Sequence, residues 1–400
     1  MSRFTCYKAQ TVFEQVKAMA KNQHLASVDI CHLASAHERN DTRIGVKMAR
    51  SALDHGLSVA LVVADDGPDE MRNGMCVFGV KRYRRRLLRM LLGPISVYRA
   101  ALRLNARMYK LHDPELLLLM PFIKLFSRAK FVFDSHEDVP IQFLAKPYLN
   151  PLLRRVGSSL LKFLMHLLCA RLDGVIAATP FIRDKLKKAN SNTIDICNYP
   201  ISHEMAEAKG QAGDRSSVTY IGNIGESRGI FELLEAMEHV RHPVCLELVG
   251  SFNDSATEAR ARAMPGWKFV KYHGWVGRDE VVAALKRSLV GIVALRPHPN
   301  YVDALPVKMF EYMGAGVPVI ASDFPLWRTI VEDADCGVLV DPLDPGDLAA
   351  SIEAMYEDRG RAAEMGRNGS NAVLNRYNWR VEEIKLIEFY EDLLEIKAGR

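Results

Sequence analysis

Residues 301–323 read YVDALPVKMFEYMGAGVPVIASD, and the order of residue types along this stretch decides the fold. Asp303 stands in an entering loop, a short helix is expected from about Pro306 to Met313, a Gly314-Ala-Gly316 break ends it, and Pro318–Ala321 reads as an apolar strand. Pro306 suits a first helical turn, where its missing N–H would be unpaired anyway, and the glycines suit the stop. Helical spacing puts Val307, Phe310 and Glu311 within one turn, on the helix that also carries Lys308, while Asp303 lies eight residues before Glu311. Two carboxylates and a lysine therefore converge near a helix N-terminus. That end carries unpaired N–H groups and a positive partial charge, so it favours an anionic ligand such as a diphosphate, and a carboxylate held there can accept hydrogen bonds from sugar hydroxyls. An ordinary amphipathic helix with solvated charges shows the same short pattern.

Upstream, VTYIGNIGESRGIFELLEAMEHV at 218–240 is another strand, loop and helix. In its loop, backbone N–H groups near Gly222 and Asn223 and the guanidinium of Arg228 could hold a diphosphate. VCLELVG, FVKYHGWV and LVGIVALRP are further strands, with a helix after Arg278. Beyond Asp323 a helix, a glycine turn, a short strand and a Pro-Asp helix start follow, and Asp333-Ala-Asp335 reads as a turn. The segment NWRVEEIKLIEFYEDLLEI is an amphipathic terminal helix.

The first half opens with a helical prelude over 1–25, then the buried strand SVDICHLAS, the polar loop HERNDTR, the helix IGVKMARSALDHG and the strand LSVALVVA. This is the βαβ start of a doubly wound sheet, and its first loop carries His37, Arg39, Asp41 and Arg43 where open α/β sheets bind ligands. No G-x-G-x-x-G follows the strand, which argues against a dinucleotide enzyme. YKLHDPELLLLMPFI and AKFVFDSHEDVP place His112, Asp113 and Glu115, then His136 and Glu137, beside the apolar runs Leu116–Leu119 and Phe131–Phe133, which read as strands. LDGVIAATPFIRDKLKK adds a strand and a helix capped by Thr179.

Glu311, the acidic position eight residues before it and the strand that follows resemble the E-x7-E element of retaining GT-B glycosyltransferases. HDPEL with a YDxHE-like segment is similar to a branch of that family acting in surface polysaccharide assembly. The resemblance covers nearly the whole chain. It implies two Rossmann-like domains facing across a cleft and transfer of a sugar from a nucleotide diphosphate sugar with retention at the anomeric carbon. Carried over, Glu311 holds the ribose, Asp303 and His136 meet the donor sugar, and the Gly222–Gly229 loop with Pro306, Val307 and Lys308 holds the nucleotide. Two departures stand out: Asp303 is one methylene shorter than the usual Glu, and Asn223 replaces the first basic residue of the G-R-x(n)-K-G loop, leaving Arg228 to grip the pyrophosphate. His37, Arg39, Asp41, Arg43, His112, Asp113, Glu115 and Glu137 are then acceptor-side candidates, and neither metal nor other cofactor is expected. The resemblance also implies a lipid-linked, undecaprenyl-type acceptor at a bacterial inner membrane face. A sugar-nucleotide epimerase of the same architecture and a non-catalytic membrane-bound partner protein are the competing readings.

Four hundred residues, 48% apolar and 25% charged, suit two soluble α/β domains. We place these at 1–201 and 217–378, with a linker at 202–216 and a helix at 379–400 that crosses back to the first domain. Seven scattered cysteines form no C-x-x-C pair or zinc-like spacing, and no window approaches twenty uncharged apolar residues. The N-terminus lacks the apolar run of a signal peptide, so a cytoplasmic protein is expected. Residues 1–200 hold 31 Lys/Arg against 17 Asp/Glu, and residues 201–400 hold 22 against 31. The basic half includes two acid-free regions, Met71 to His112 with KRYRRRLLRMLL at 81–92, and Val139 to Leu172 with PLLRRVGSSLLKFLMHLLCARL at 151–172. A solvated face, a nucleic-acid patch and an anionic-lipid surface all fit basic residues interleaved with leucine. Without aromatic stacking platforms or a recognisable module, nucleic acid ranks last and the lipid surface first.

Overall fold

The computed structural model describes residues 27–144, 150–201 and 215–396, so the helix expected over 1–25 and most of the linker lie outside the described residues. The chain divides into two compact units, Met1–Cys197 with Glu382–Arg400, and Asn198–Val381.

The first unit is built on β1 (Ile30–Ala34), β2 (Val59–Ala64), β3 (Glu70–Arg72), β4 (Met75–Val80), β5 (Met108–Leu111), β6 (Lys130–Ser135), β7 (Gly174–Ala177) and β8 (Thr193–Asp195). Their order is β3-β4-β2-β1-β5-β6-β7-β8, with every pair parallel except β3 with β4. ICHLA and VALVVA are buried at every position, as strands covered on both faces must be. The chain leaves β1 in one direction and returns to pair β5 on the other side, so the loops after β1 and β5 meet at the switch point of the sheet. HDPE follows β5, and the strand read over Leu116–Leu119 is instead a 3-10 turn, Pro114–Leu118. Pro114 lacks the N–H a ladder needs and starts a helical turn readily. The helices Arg86–Ala101, Met120–Lys124 and Pro151–Cys169 belong to crossovers that advance the same way across the sheet, and right-handed connections place them on one face.

The second unit contains β9 (Ser217–Ile221), β10 (Cys245–Val249), β11 (Val270–Gly274), β12 (Ser288–Val293), β13 (Val319–Ser322) and β14 (Gly337–Val340), all parallel, in the order β11-β10-β9-β12-β13-β14. Its switch point lies between β9 and β12. The helix Val307–Gly314, with Pro306 at its N-cap, lies against these strands. Tyr312 Oη donates to the Thr219 carbonyl at 3.1 Å and accepts from Ile221 N–H at 2.8 Å, which fixes the helix to β9. Gly291 of β12 makes room for that ring, because a Cβ there would lie 2.3 Å from it.

Candidate functional site

In the second unit the loop after β9 turns through Gly222 (φ 112°) and, after a 3-10 turn at Glu226–Arg228, through Gly229 (φ 75°), which caps the helix Ile230–His239. Side chains rarely adopt such backbone angles, and a Cβ on Gly229 would also meet the Ala294 carbonyl at 2.3 Å. Arg228 stands over the Tyr301 ring at 5.5 Å, and Lys308 Nζ sits 3.6 Å above the Tyr220 ring. The Lys308 ammonium is buried and has no hydrogen-bond partner among the described residues. Burial, and secondarily the Arg228 charge, pushes its pKa well below the ordinary lysine value, against the pull of Glu311. Glu311 is half-buried and accepts from Arg278 Nη1 at 2.9 Å, a partner 33 residues away that no local motif marks. Asn223 is exposed and its carbonyl accepts from Tyr220 Oη at 2.7 Å, while Asp303 and Val307 are half-buried at the approach to the helix. The structure thus gathers Arg228, Lys308 and Glu311 around two tyrosine faces.

In the first unit the loops after β1, β5 and β6 bring three imidazoles together. His136 and His37 have ring centroids 4.3 Å apart. His37 Nδ1 donates to Asp113 Oδ1 at 2.8 Å, and Asp113 Oδ2 accepts from the backbone N–H of Ser35 and Ala36. Burial alone would raise the Asp113 pKa, yet these bonds bring it below the usual carboxylate range, and the same pairing outweighs burial to raise that of His37. Glu115 bonds Ser35 Oγ at 3.0 Å, and burial raises its pKa.

Beneath them lies Asp134, fully buried. Arg43 reaches it at 2.8 Å, Lys110 Nζ at 3.6 Å, His112 Nδ1 at 3.3 Å and His136 Nε2 at 3.4 Å. Burial pushes the carboxyl up, but Arg43 and Lys110 together hold it ionised, well below its usual value. Burial keeps His112 neutral. Its Nδ1–H then donates to Asp134, and its Nε2 accepts from His32 Nδ1 at 2.8 Å. His136 Nε2 faces Asp134 at 3.4 Å and His112 Nδ1 at 3.2 Å, so Nδ1 is the ring nitrogen these contacts do not use.

Several residues read from the sequence as acceptor-side candidates have other duties. Arg43 and His112 are buried in the Asp134 network, Asp41 caps the Thr42–Ala49 turn by accepting from Ile44 N–H, and Arg39 is held by Asp65 and Glu70. Glu137 is exposed. His32, Lys110 and Asp134 complete the network, and the sequence signals for them are a histidine and a lysine inside apolar strands and the first Asp of DSHED. His112 Nδ1, an Asp134 oxygen and His136 Nε2 lie close enough together to hold a cation. Arg43 and Lys110 already supply Asp134 with positive charge, so a divalent ion would enter against two cations.

Residues 202–372 match the family model described as glycosyl transferases group 1. The phosphatidyl-myo-inositol mannosyltransferase of Mycolicibacterium smegmatis is 28% identical over 231 residues, 55% of this chain and 58% of that protein. The D-inositol 3-phosphate glycosyltransferase of Corynebacterium kroppenstedtii is 29% identical over 115 residues, 29% of this chain and 24% of its own length. The chain thus spans less than two thirds of either relative. Among solved structures, sucrose-phosphate synthase of Thermosynechococcus elongatus matches with a TM-score of 0.71 at 18% identity, covering 92% of this chain and all of that one. The HepE protein of Anabaena in complex with UDP-glucose matches with a TM-score of 0.67 at 14% identity, over 91% of this chain and all of that one. The fold is the GT-B fold of these glycosyltransferases.

Proposed function

We propose that this GT-B protein transfers a sugar from a nucleotide diphosphate sugar to a lipid-linked glycan acceptor, with retention at the anomeric carbon, in the assembly of a surface polysaccharide. The observation that carries the reading is Lys308: its buried amine rests over the Tyr220 ring with no hydrogen-bond partner among the described residues, and a diphosphate oxygen would supply the acceptor it lacks. In this reading Lys308, Arg228 and the Val307–Gly314 helix N-terminus stabilise the leaving nucleoside diphosphate as its charge develops, and Glu311 accepts the ribose hydroxyls. Asp303 and His136 contact the donor sugar, His136 through the Nδ1 that Asp134 leaves available. The acceptor hydroxyl attacks from the face the diphosphate leaves, and no metal or other cofactor takes part. The lipid-linked acceptor is also in keeping with the mannosyltransferase named for phosphatidyl-myo-inositol among the relatives.

The test is release of nucleoside diphosphate from UDP-, GDP- and dTDP-sugars, with and without membrane lipid extract, for the native protein and Glu311→Ala. Release from one donor, dependent on the extract and lowered about 10²-fold or more in the variant, is the expected result. Release without any acceptor and with an epimerised sugar would identify an epimerase. No binding or release with any donor would leave the non-catalytic partner.

We further place the protein peripherally at the inner membrane face. Leu87 (74% exposed), Leu91, Phe122, Leu152, Leu153, Val156 and Leu160 project apolar surface from the three helices on one face of the first sheet, and Phe126 (93%) does so from the turn after the second. Arg84, Arg85, Arg99, Arg103, Arg128 and Arg155 are exposed in or beside the same helices. An apolar face with interspersed arginines suits the boundary of an anionic bilayer. No helix among the described residues is long and apolar enough to cross a membrane. Vesicles containing anionic lipid should sediment with the protein, neutral vesicles far less, and binding should weaken as salt rises. Equal, salt-insensitive binding to both would refute an electrostatic component.

A further inference from the structure

The helix Val139–Leu144, sequence VPIQFL, is apolar throughout except for Gln142, yet none of its residues is buried. The reason is a cavity of about 720 Å3 between it, the helix Pro151–Cys169 and the helix Pro180–Leu186. Ile141, Leu144, Phe163, Met165, Ile182 and Leu186 form the apolar part of its wall. Its polar wall includes Lys162 and Lys188, neither of which has a carboxylate partner among the described residues, as well as Lys185, paired with Asp138 at 2.7 Å. The cavity also touches Ser135 and Glu137, the two neighbours of His136.

We propose that this cavity binds the lipid of the acceptor: a long hydrocarbon chain ending in a phosphate or diphosphate. The proposal rests on the transferase reading for the word acceptor, while the binding site itself stands on three observations. First, no described residue fills the space between the apolar walls, although Ser158 Oγ bonds the Pro140 carbonyl at 2.9 Å and Gly157 lets the Phe143 ring pack where a Cβ would meet it at 2.3 Å, so the two helices are pinned to each other beside the cavity and are not merely loose. Second, Lys162 and Lys188, both exposed and without a carboxylate partner among the described residues, stand beside an apolar wall, which suits a hydrocarbon with an anionic end. Third, the cavity is continuous with the surface read as membrane-facing. On the Pro151–Cys169 helix, positions 158, 159, 162, 165 and 166 line the cavity, positions 153, 156, 160 and 167 form the exposed apolar stripe, and Phe163, 63% exposed, belongs to both. A chain lying along the stripe reaches the cavity past Phe163 without leaving apolar surface.

The experiment uses the full chain and a diazirine-bearing farnesyl phosphate. Photolabel is expected on peptides spanning 139–144, 158–166 and 182–189, competed by farnesyl phosphate and much less by farnesol or inorganic phosphate. Ser159→Trp, a substitution of an exposed cavity-lining residue that fills the space, should weaken farnesyl phosphate binding about tenfold or more, and Lys162→Glu with Lys188→Glu should abolish the preference for the phosphate over the alcohol. Nucleotide binding should be unchanged in each variant, which also reports that the protein is folded. Label concentrated elsewhere, label lost as rising protein concentration lets a second copy occupy the cavity, or farnesol competing as well as its phosphate would overturn the proposal. Transfer to a lipid acceptor at the native rate by Ser159→Trp would sink the cavity and leave the transferase intact. Specific labelling in a protein that releases no nucleotide from any donor would keep the cavity and sink the transferase.

Discussion

Lys308→Met will lower kcat/KM for nucleoside diphosphate release by about 10²–10³-fold, the usual cost of removing one group that stabilises developing charge, while the protein becomes no less stable. The second half of that expectation is the diagnostic one. Lys308 is buried above the Tyr220 ring with no hydrogen-bond partner among the described residues, so its amine carries a desolvation cost that methionine of similar length does not. A structural lysine behaves in the opposite way, losing stability when its pairs are broken. The depressed pKa of Lys308 makes a further check. In the free protein the amine binds fewer protons than in the unfolded chain below the ordinary lysine value, so its own contribution to stability grows as pH rises toward that value and is lost as pH falls through the depressed one. A diphosphate beside it favours the ammonium and raises its pKa, and binding then takes up a proton. Nucleotide affinity should therefore fall as pH rises between the free and bound pKa values. Titration calorimetry in buffers of different ionisation enthalpy measures that uptake directly, and it should vanish in Lys308→Met. Equal proton uptake in both proteins, or a variant that is destabilised in proportion to its lost activity, would remove Lys308 from the nucleotide site.

The two groups of candidate residues, one in each unit, were legible to different degrees, for physical reasons. Stretch 301–323 could be read because its information is local. Pro306, the Gly314–Gly316 break and the carboxylates at fixed spacing all act within one helix and its flanks, and the helix found, Val307–Gly314, begins one residue later than expected. Arg278 as the partner of Glu311 is 33 residues away, and nothing in its own neighbourhood distinguishes it from other surface arginines. In the first unit the loop HERNDTR reads as one cluster, but the backbone sends its side chains to four places. Only His37 joins His136, because Asp41 must cap the helical segment that follows and Arg43, two residues on, points inward to Asp134. Sequence proximity in a loop does not fix direction. The strand misread at Leu116–Leu119 has a similar origin, since a short apolar run fits a buried strand or a buried turn, and Pro114 decides for the turn.

Asp134→Ala will cost the first unit about 3–5 kcal/mol of stability, because it leaves Arg43 and Lys110 buried without their counter-charge. Arg43 keeps the Ile196 carbonyl at 2.7 Å, and Lys110 keeps Tyr390 Oη at 2.9 Å, so both remain held in place near one another with no anion between them. Lys110 can relieve part of the strain by losing its proton, since burial and the Arg43 charge already bring its pKa down to about 7. Arg43 cannot. Asp134→Asn should therefore fall between native and alanine, and Lys110→Met on the Asp134→Asn background should recover stability, a coupling that a double-mutant cycle in urea would measure. Acid gives an independent reading of the same carboxylate. Its folded pKa lies well below the usual value, so its contribution is present above the unfolded pKa and is lost as pH falls through the folded one. Stability of the native protein should decline more steeply toward low pH than that of Asp134→Asn. His136 turns Nε2 to this carboxylate, so the asparagine variant should also lose nucleoside diphosphate release at pH values where it is fully folded. A loss of stability with activity retained would mean that Asp134 holds the fold and not the histidine.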